Sequence, residues 1–383
     1  MRLAGANIRR YALHCCVTAL RLGRRRQPDF KIGECKKILV VRNKGIGDDI
    51  MALPALRLLR QHLPDAQIDL LVKPWNSTLF ADSRLFDNIL IFERNARTRV
   101  CGVRPYDTRT LIRKMREENY DAAVCIMGQE IGLRLAFYGG IPAIVCNEDY
   151  DRRYEFLITH KLKAPWLKDR LMSPVDACLD YVRQLGVPAE SVPYGFTVTD
   201  CDRSDVEAHL AARGVSKLFA VVHPCSSNPN KSWCPKRFSQ IADYLVSRYD
   251  LDVVVSGSEG DLSEADSVVA NAGNRSRIHS LAGELSLPEA AALYKSAVIM
   301  VTVDSGPMHI ADAVGTPLVA LFLPWNRNCR PYRQPGAVVL PDDAEFSALL
   351  ESPDDTEWVN YMLRIPVDRV KRAIDEKMLA ISG

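Results

Sequence analysis

From residue 36 onward, short runs of aliphatic and β-branched residues alternate with longer amphipathic stretches. Continuous apolar runs suit strands covered on both faces, and their regular alternation with helices is the pattern of parallel sheets. In the first half the runs at 37–42 (KILVVR), 68–72, 89–92, 121–126 and 143–146 read as strands. The segments 50–62 (IMALPALRLLRQH), 111–118, 131–138 and 172–185 read as helices, with Pro54 in the first turns of the 50–62 helix. Residues 186–194, with two prolines, read as a linker. A second series follows, with strands at 218–223, 252–256, 297–303 (AVIMVTV) and 318–323, and helices at 237–249, 263–272, 287–295 and 307–314. A last helix spans 367–381, with Lys and Arg on one side. The expected fold class is α/β, as two halves facing a central cleft, with ligands at the carboxyl ends of the strands.

Composition narrows this picture. The 383 residues are 47 % hydrophobic and 25 % charged, enough for two domains of ordinary size. A formal net charge of +3, with 8 % aromatic residues not interleaved with basic ones, gives no nucleic-acid-binding surface. The 11 cysteines form no C-x-x-C pair and no zinc-like cluster, which fits free thiols in a reducing cytoplasm. The first residues differ. Arg2, Arg9, Arg10, Arg21, Arg24, Arg25 and Arg26 precede the first acidic residue, Asp29, and flank an apolar patch too short to span a bilayer. Such an arm fits peripheral contact with an anionic membrane surface, or a solvated leader.

Three loops carry candidate chemistry. After the 297–303 strand comes Asp304-Ser305-Gly306-Pro307-Met308-His309. Ser305 can cap the helix, Gly306 allows close approach, Pro307 suits the first helical turn and Gly315 can close the helix. A helix N-terminus at the carboxyl edge of a sheet suits a phosphate. After the first strand, Gly45-Ile46-Gly47-Asp48-Asp49 lacks the third glycine of a dinucleotide fingerprint, which weakens a nicotinamide enzyme. Two adjacent aspartates are more than one helix cap needs. After the 218–223 strand, Ser226 and Ser227 precede Lys231-Ser232-Trp233, a combination that can cradle a diphosphate. Glu259, at the end of the next strand, could accept ribose hydroxyls. Lys44, Arg134, Arg152 and Arg153 could face an acidic acceptor. The D-x-D triplets at 149–151 and 200–202 read as chance, the second as a helix cap, so no metal site is expected.

Together the segments 41–54, 223–235, 279–287 and 304–311 resemble glycosyltransferase family 9, the lipopolysaccharide heptosyltransferases, over about residues 36–332. Gly47-Asp48 and Pro54-Ala55-Leu56 match that family's G-D and P-A-L, and D-S-G-P-M-H-x-A is the most specific match. Cys225 stands where the family has glycine, and its side chain narrows the phosphate loop. The resemblance implies the GT-B architecture of two Rossmann-like domains. The expected division is a basic arm (1–33), an acceptor-binding domain (34–190), a nucleotide-sugar-binding domain (191–345) and a helical tail (346–383). It implies an inverting, metal-independent enzyme that needs no cofactor beyond its donor, ADP-heptose. The acceptor would be a lipid-linked oligosaccharide of the lipopolysaccharide inner core, met in the cytoplasm or on the cytoplasmic face of the inner membrane. Asp48 would be the catalytic base, with Asp49 its open neighbour. Ser226, Ser227, Lys231, Asp304, Ser305, Gly306 and His309 would bind the donor; Glu259 as a further donor contact, and Lys44 and Arg134 as acceptor contacts, are expected from their own chemistry and not from the resemblance. The alternatives are the same fold with another nucleotide sugar, or a non-catalytic nucleotide-sugar binder.

Overall fold

The computed structural model describes residues 30–93, 104–127, 130–147, 154–169, 171–188, 193–215, 218–341 and 358–382. The basic arm, Arg152, Arg153 and the 149–151 triplet lie outside them.

Two six-stranded, wholly parallel sheets form the protein. The front sheet is built from β1 (Lys37–Arg42), β2 (Gln67–Val72), β3 (Asn88–Ile91), β4 (Ala122–Cys125), β5 (Ala143–Asn147) and β6 (His160–Leu162), in the order β3-β2-β1-β4-β5-β6. The rear sheet repeats that topology with β7 (Phe219–His223), β8 (Asp252–Val255), β9 (Ile278–Ser280), β10 (Ile299–Val303), β11 (Leu318–Leu321) and β12 (Val338–Val339), in the order β12-β11-β10-β7-β8-β9. Val40 pairs with Val124 across β1 and β4, and Val222 with Val301 across β7 and β10. In each sheet this pair is the switch point where strand order reverses, and the crevice beyond its carboxyl end is where such folds bind ligands.

The helices of the front domain are α1 (Ile46–His62), α2 (Thr108–Glu118), α3 (Glu130–Tyr138) and α4 (Pro174–Gln184). Those of the rear domain are α5 (Asp200–Ala212), α6 (Pro235–Tyr249), α7 (Leu262–Asn271), α8 (Leu287–Ser296), α9 (Gly306–Val314) and α10 (Val367–Ser382). A single buried cluster runs from Leu53 and Leu56 of α1 through Val175 of α4 to Leu293 of α8 and Met308 and Ile310 of α9. The two domains therefore share a hydrophobic layer as well as a cleft. Arg57 Nη1 donates to Pro193 O at 2.8 Å, and Tyr332 OH to Asp176 Oδ1 at 3.1 Å, closing the sides of that contact.

Several boundaries differ from expectation. α1 begins at Ile46 rather than residue 50, which puts Gly47, Asp48 and Asp49 inside its first turn. Pro54 is thus well inside the helix, where its missing N–H removes one backbone bond. Ile32 is 1 % exposed and joins the front core, so the expected arm of residues 1–33 overlaps the folded domain. The C-terminal helix is no separate tail: Tyr361, Met362, Ile365, Val370 and Ile374 are fully buried against the outer face of the rear sheet. Trp233 Nε1 donates to Ile365 O at 3.2 Å, and the Tyr244 and Tyr249 hydroxyls donate to Asp375, pinning the segment down. Asp200 and Asp202 are cap chemistry, since Thr199 N and Oγ1 both donate to Asp202 Oδ2 at the start of α5.

Candidate functional site

A cleft of about 840 Å³ opens between the domains at the carboxyl ends of β1, β7 and β10. Its front wall carries Gly45, Gly47 and Asp48, and its rear wall Ser226, Ser227, Lys231, Asp304, Ser305, Gly306 and His309. Two helix N-termini, those of α1 and α9, meet at its floor. A β-carbon on Gly47 would lie 2.7 Å from His309 Cδ2, and one on Gly306 would lie 2.9 Å from Ile46 Cβ. Only glycine at both positions lets the helices approach this closely, which brings residues more than 250 positions apart in sequence to one spot.

The two aspartates of α1 separate cleanly. Asp49 is fully buried and turned away from the cleft: Arg42 Nε donates to its Oδ1 at 2.9 Å and Asn76 Nδ2 to its Oδ2 at 2.5 Å. Burial pushes its carboxyl up to about 6, against the pull of Arg42 and Asn76. Arg42, itself 1 % exposed, also donates to Ile126 O at 2.7 Å and Asp48 O at 2.5 Å. Asp48 is half-buried and lines the cleft, and among the described residues its side chain makes a single hydrogen bond, a 3.2 Å acceptance from Gly45 N.

On the rear wall the Lys231 ammonium lies 2.7 Å from Asp304 Oδ2, and Asn326 Nδ2 donates to the same oxygen. A carboxylate repels a phosphate, so Asp304 acts on an anionic ligand through the lysine that it aims. Ser226 Oγ donates to Asp304 O at 3.3 Å, tying the β7 loop to the β10 loop. Ser305 occupies the N-cap position of α9 but makes no side-chain cap bond, contrary to expectation. Its nearer target is missing because Pro307 has no N–H, and Ser305 Oγ is left buried with no partner. His309 Nδ1 is likewise buried, and among the described residues neither polar atom at the mouth of α9 has a hydrogen-bond partner, so both are open to a ligand.

Other expected residues lie elsewhere. Glu259 is exposed and absent from the cleft wall; Asp261, held by Ser258 N and Oγ at 2.7 Å, lines it instead. Lys44 is buried behind the wall, its carbonyl accepting from Asn76. Arg134 pairs with Glu130 at 3.0 Å over the Tyr154 ring, away from the cleft. Cys225 is 5 % exposed and does line the cleft, its thiol pushed up to about 12 by burial and by Asp261, so it stays a neutral, narrowing side chain. Among the described residues no group of three or more His, Cys, Asp and Glu side chains is disposed to hold a metal ion. No described helix is long and apolar enough to cross a membrane.

Two buried histidines predict acid lability. Burial pushes both His223 and His309 down to about 4, against nearby aspartates. Below their ordinary value of about 6.5 the unfolded chain takes up protons first, so stability falls as pH falls toward 4, by up to about 1.4 kcal/mol per pH unit for each. The raised Asp49 carboxyl works the other way below about 6 and cancels one of them. The melting temperature is expected to drop from pH 7 to pH 5, and His309→Gln to flatten that slope; an unchanged slope in the variant would refute the assignment.

The chain is similar to known proteins in both sequence and fold. Residues 108–343 match the family model described as glycosyltransferase family 9 (heptosyltransferase). The chain is similar to lipopolysaccharide heptosyltransferase 3 of Escherichia coli K12, with 27 % identity over 301 residues, covering 74 % of this chain and 83 % of the relative. Its fold is similar to that of E. coli ADP-heptose lps heptosyltransferase II (TM-score 0.70, 20 % identity, 91 % of this chain and 100 % of that one). It is also similar to E. coli heptosyltransferase WaaC with ADP (TM-score 0.65, 16 % identity, 89 % and 99 %).

Proposed function

The chain belongs to glycosyltransferase family 9 and is a glycosyltransferase, and from that premise we propose that it moves heptose from ADP-heptose to an inner-core acceptor of lipopolysaccharide, with inversion and without a metal. Support for the donor comes from the similar structures, an ADP-heptose lps heptosyltransferase and a heptosyltransferase with ADP. The acceptor follows from a relative that is a lipopolysaccharide heptosyltransferase. The work would take place at the cytoplasmic face of the inner membrane, where a nucleotide sugar and a lipid-linked oligosaccharide meet.

One observation carries the mechanism: a front-wall carboxylate, Asp48, with no ion pair among the described residues, faces the Lys231–Asp304 pair and the α9 N-terminus across a single cleft. The donor diphosphate lies over Lys231, the Ser226 and Ser227 hydroxyls and the first amides of α9, so that the ammonium and the helix dipole offset the charge of departing ADP. An acceptor hydroxyl attacks the anomeric carbon from the opposite side. As the new C–O bond forms and the bond to the diphosphate breaks, Asp48 takes the hydroxyl proton and later returns it to solvent. ADP leaves with the electron pair.

Purified protein given ADP-heptose, UDP-glucose or GDP-mannose, with lipopolysaccharide truncated before its heptoses, is expected to turn over ADP-heptose alone, equally well in excess EDTA. Turnover with another donor would move the protein to another sugar nucleotide. ADP binding with no transfer would make it a non-catalytic binder, and loss of activity in EDTA would refute the metal-free step.

A further inference from the structure

The front wall holds a feature that donor binding leaves unused. Directly after β2 the chain turns through Lys73-Pro74-Trp75-Asn76-Ser77, and both Lys73 and Trp75 line the same cleft as Asp48. Trp75 is 37 % exposed, and the Lys73 ammonium lies 5.1 Å from the centroid of its ring. Among the described residues Lys73 makes no ion pair. A large ring left open to water beside an uncompensated cation, in a cleft, is an amphipathic surface seeking a ligand with one apolar face and a negative charge.

The turn is held rigidly. Asn76 is fully buried and donates to Asp49 Oδ2 at 2.5 Å and to Lys44 O at 3.3 Å, and Ser77 Oγ donates to Pro74 O at 2.6 Å. Asp49 follows Asp48 in the first turn of α1, so the buried chain Arg42–Asp49–Asn76 ties the ring to the carboxylate that faces the cleft. Preorganisation of this kind suits a group that must present one hydroxyl to one base.

We propose that Trp75 and Lys73 form the acceptor subsite: the indole takes the C–H face of a pyranose, and the ammonium pairs with a carboxylate or phosphate borne by that sugar. The proposal rests on the reading of Asp48 as the base, since it makes the ring the platform that turns the acceptor hydroxyl toward Asp48. It replaces Lys44 and Arg134 as the acceptor contacts.

The test titrates the full-length protein with methyl glucoside, methyl glucuronide and glucose 6-phosphate by saturation-transfer NMR, with ADP titrated separately. Trp75→Ala is expected to weaken all three sugars at least about fivefold, and Trp75→Tyr to restore most of the loss. Lys73→Met should weaken only the two acidic sugars, by about fivefold, and the acid preferred by wild type identifies carboxylate or phosphate as the natural charge. ADP affinity should stay within about twofold in every variant. Sugar binding indifferent to Trp75→Ala overturns the subsite. A fall in ADP affinity in Trp75→Ala also overturns it, by giving the ring to the nucleotide. Failure of the wild type to bind ADP would instead refute the donor reading, and the sugar titrations would still decide the platform.

Discussion

Asp48→Asn is expected to lower kcat for sugar transfer by roughly 10²- to 10⁴-fold, the usual contribution of a positioned general base, while ADP affinity and melting temperature stay close to wild type. The structural role of Asp48 is small and survives the change. Its Oδ2 accepts one 3.2 Å bond from Gly45 N at the start of α1, and an asparagine oxygen can accept the same bond. What disappears is the ability to take a proton. The groups that would hold the diphosphate, Lys231 and the first turn of α9, belong to the other domain, and among the described residues the Asp48 carboxylate bonds to Gly45 N and not to them. Loss in kcat and kcat/KM should therefore be equal, with KM for the donor unchanged, as expected for an interaction made only in the transition state. Turnover near wild type in Asp48→Asn would remove the residue from the reaction.

Much of this arrangement was legible in the sequence, for a physical reason. Strands buried on both faces leave uninterrupted apolar runs such as AVIMVTV, and parallel topology places the residue after each run on one edge. The loops after β1, β7 and β10 could thus be expected to share a cleft before any coordinates. What stayed hidden depends on orientation. Asp48 and Asp49 are adjacent and chemically identical, and only the 100° step per residue of a helix that starts at Ile46 turns one to the cleft and the other inward. Gly45-Ile46-Gly47 disguised that start as loop, because glycine is a poor helix former. A signal for the inward partner did exist: Arg42 closes an otherwise apolar buried strand, and a buried guanidinium needs a carboxylate. Asp261 rather than Glu259 reaches the cleft because the Ser258-x-x-Asp261 capping box holds its carboxylate there. Lys73 and Trp75 directly follow β2, at the edge that the topology assigns to ligands, but no motif marks them as a pair.

Asp49→Ala is expected to be the most destabilising single change at the site, at about 3–5 kcal/mol, because it strands a buried charge. Arg42 and Asp49 are 1 % and 0 % exposed, and no water reaches the guanidinium to replace the lost carboxylate. Arg42 would keep its Nη bonds to Ile126 O and Asp48 O, but its Nε–H would lose its acceptor and its charge its counterion. Asn76 would also lose its 2.5 Å partner, loosening the turn that carries Trp75. Asp49→Asn should cost less, since one oxygen remains to face Arg42. The double change Arg42→Met with Asp49→Leu should recover most of the loss, because replacing a buried pair by apolar groups of similar size is often neutral. Chemical denaturation of the three variants separates these cases. A fully stable Asp49→Ala protein would mean that Asp49 does not hold the cleft's front wall, and the division of labour between the two adjacent aspartates would fail with it.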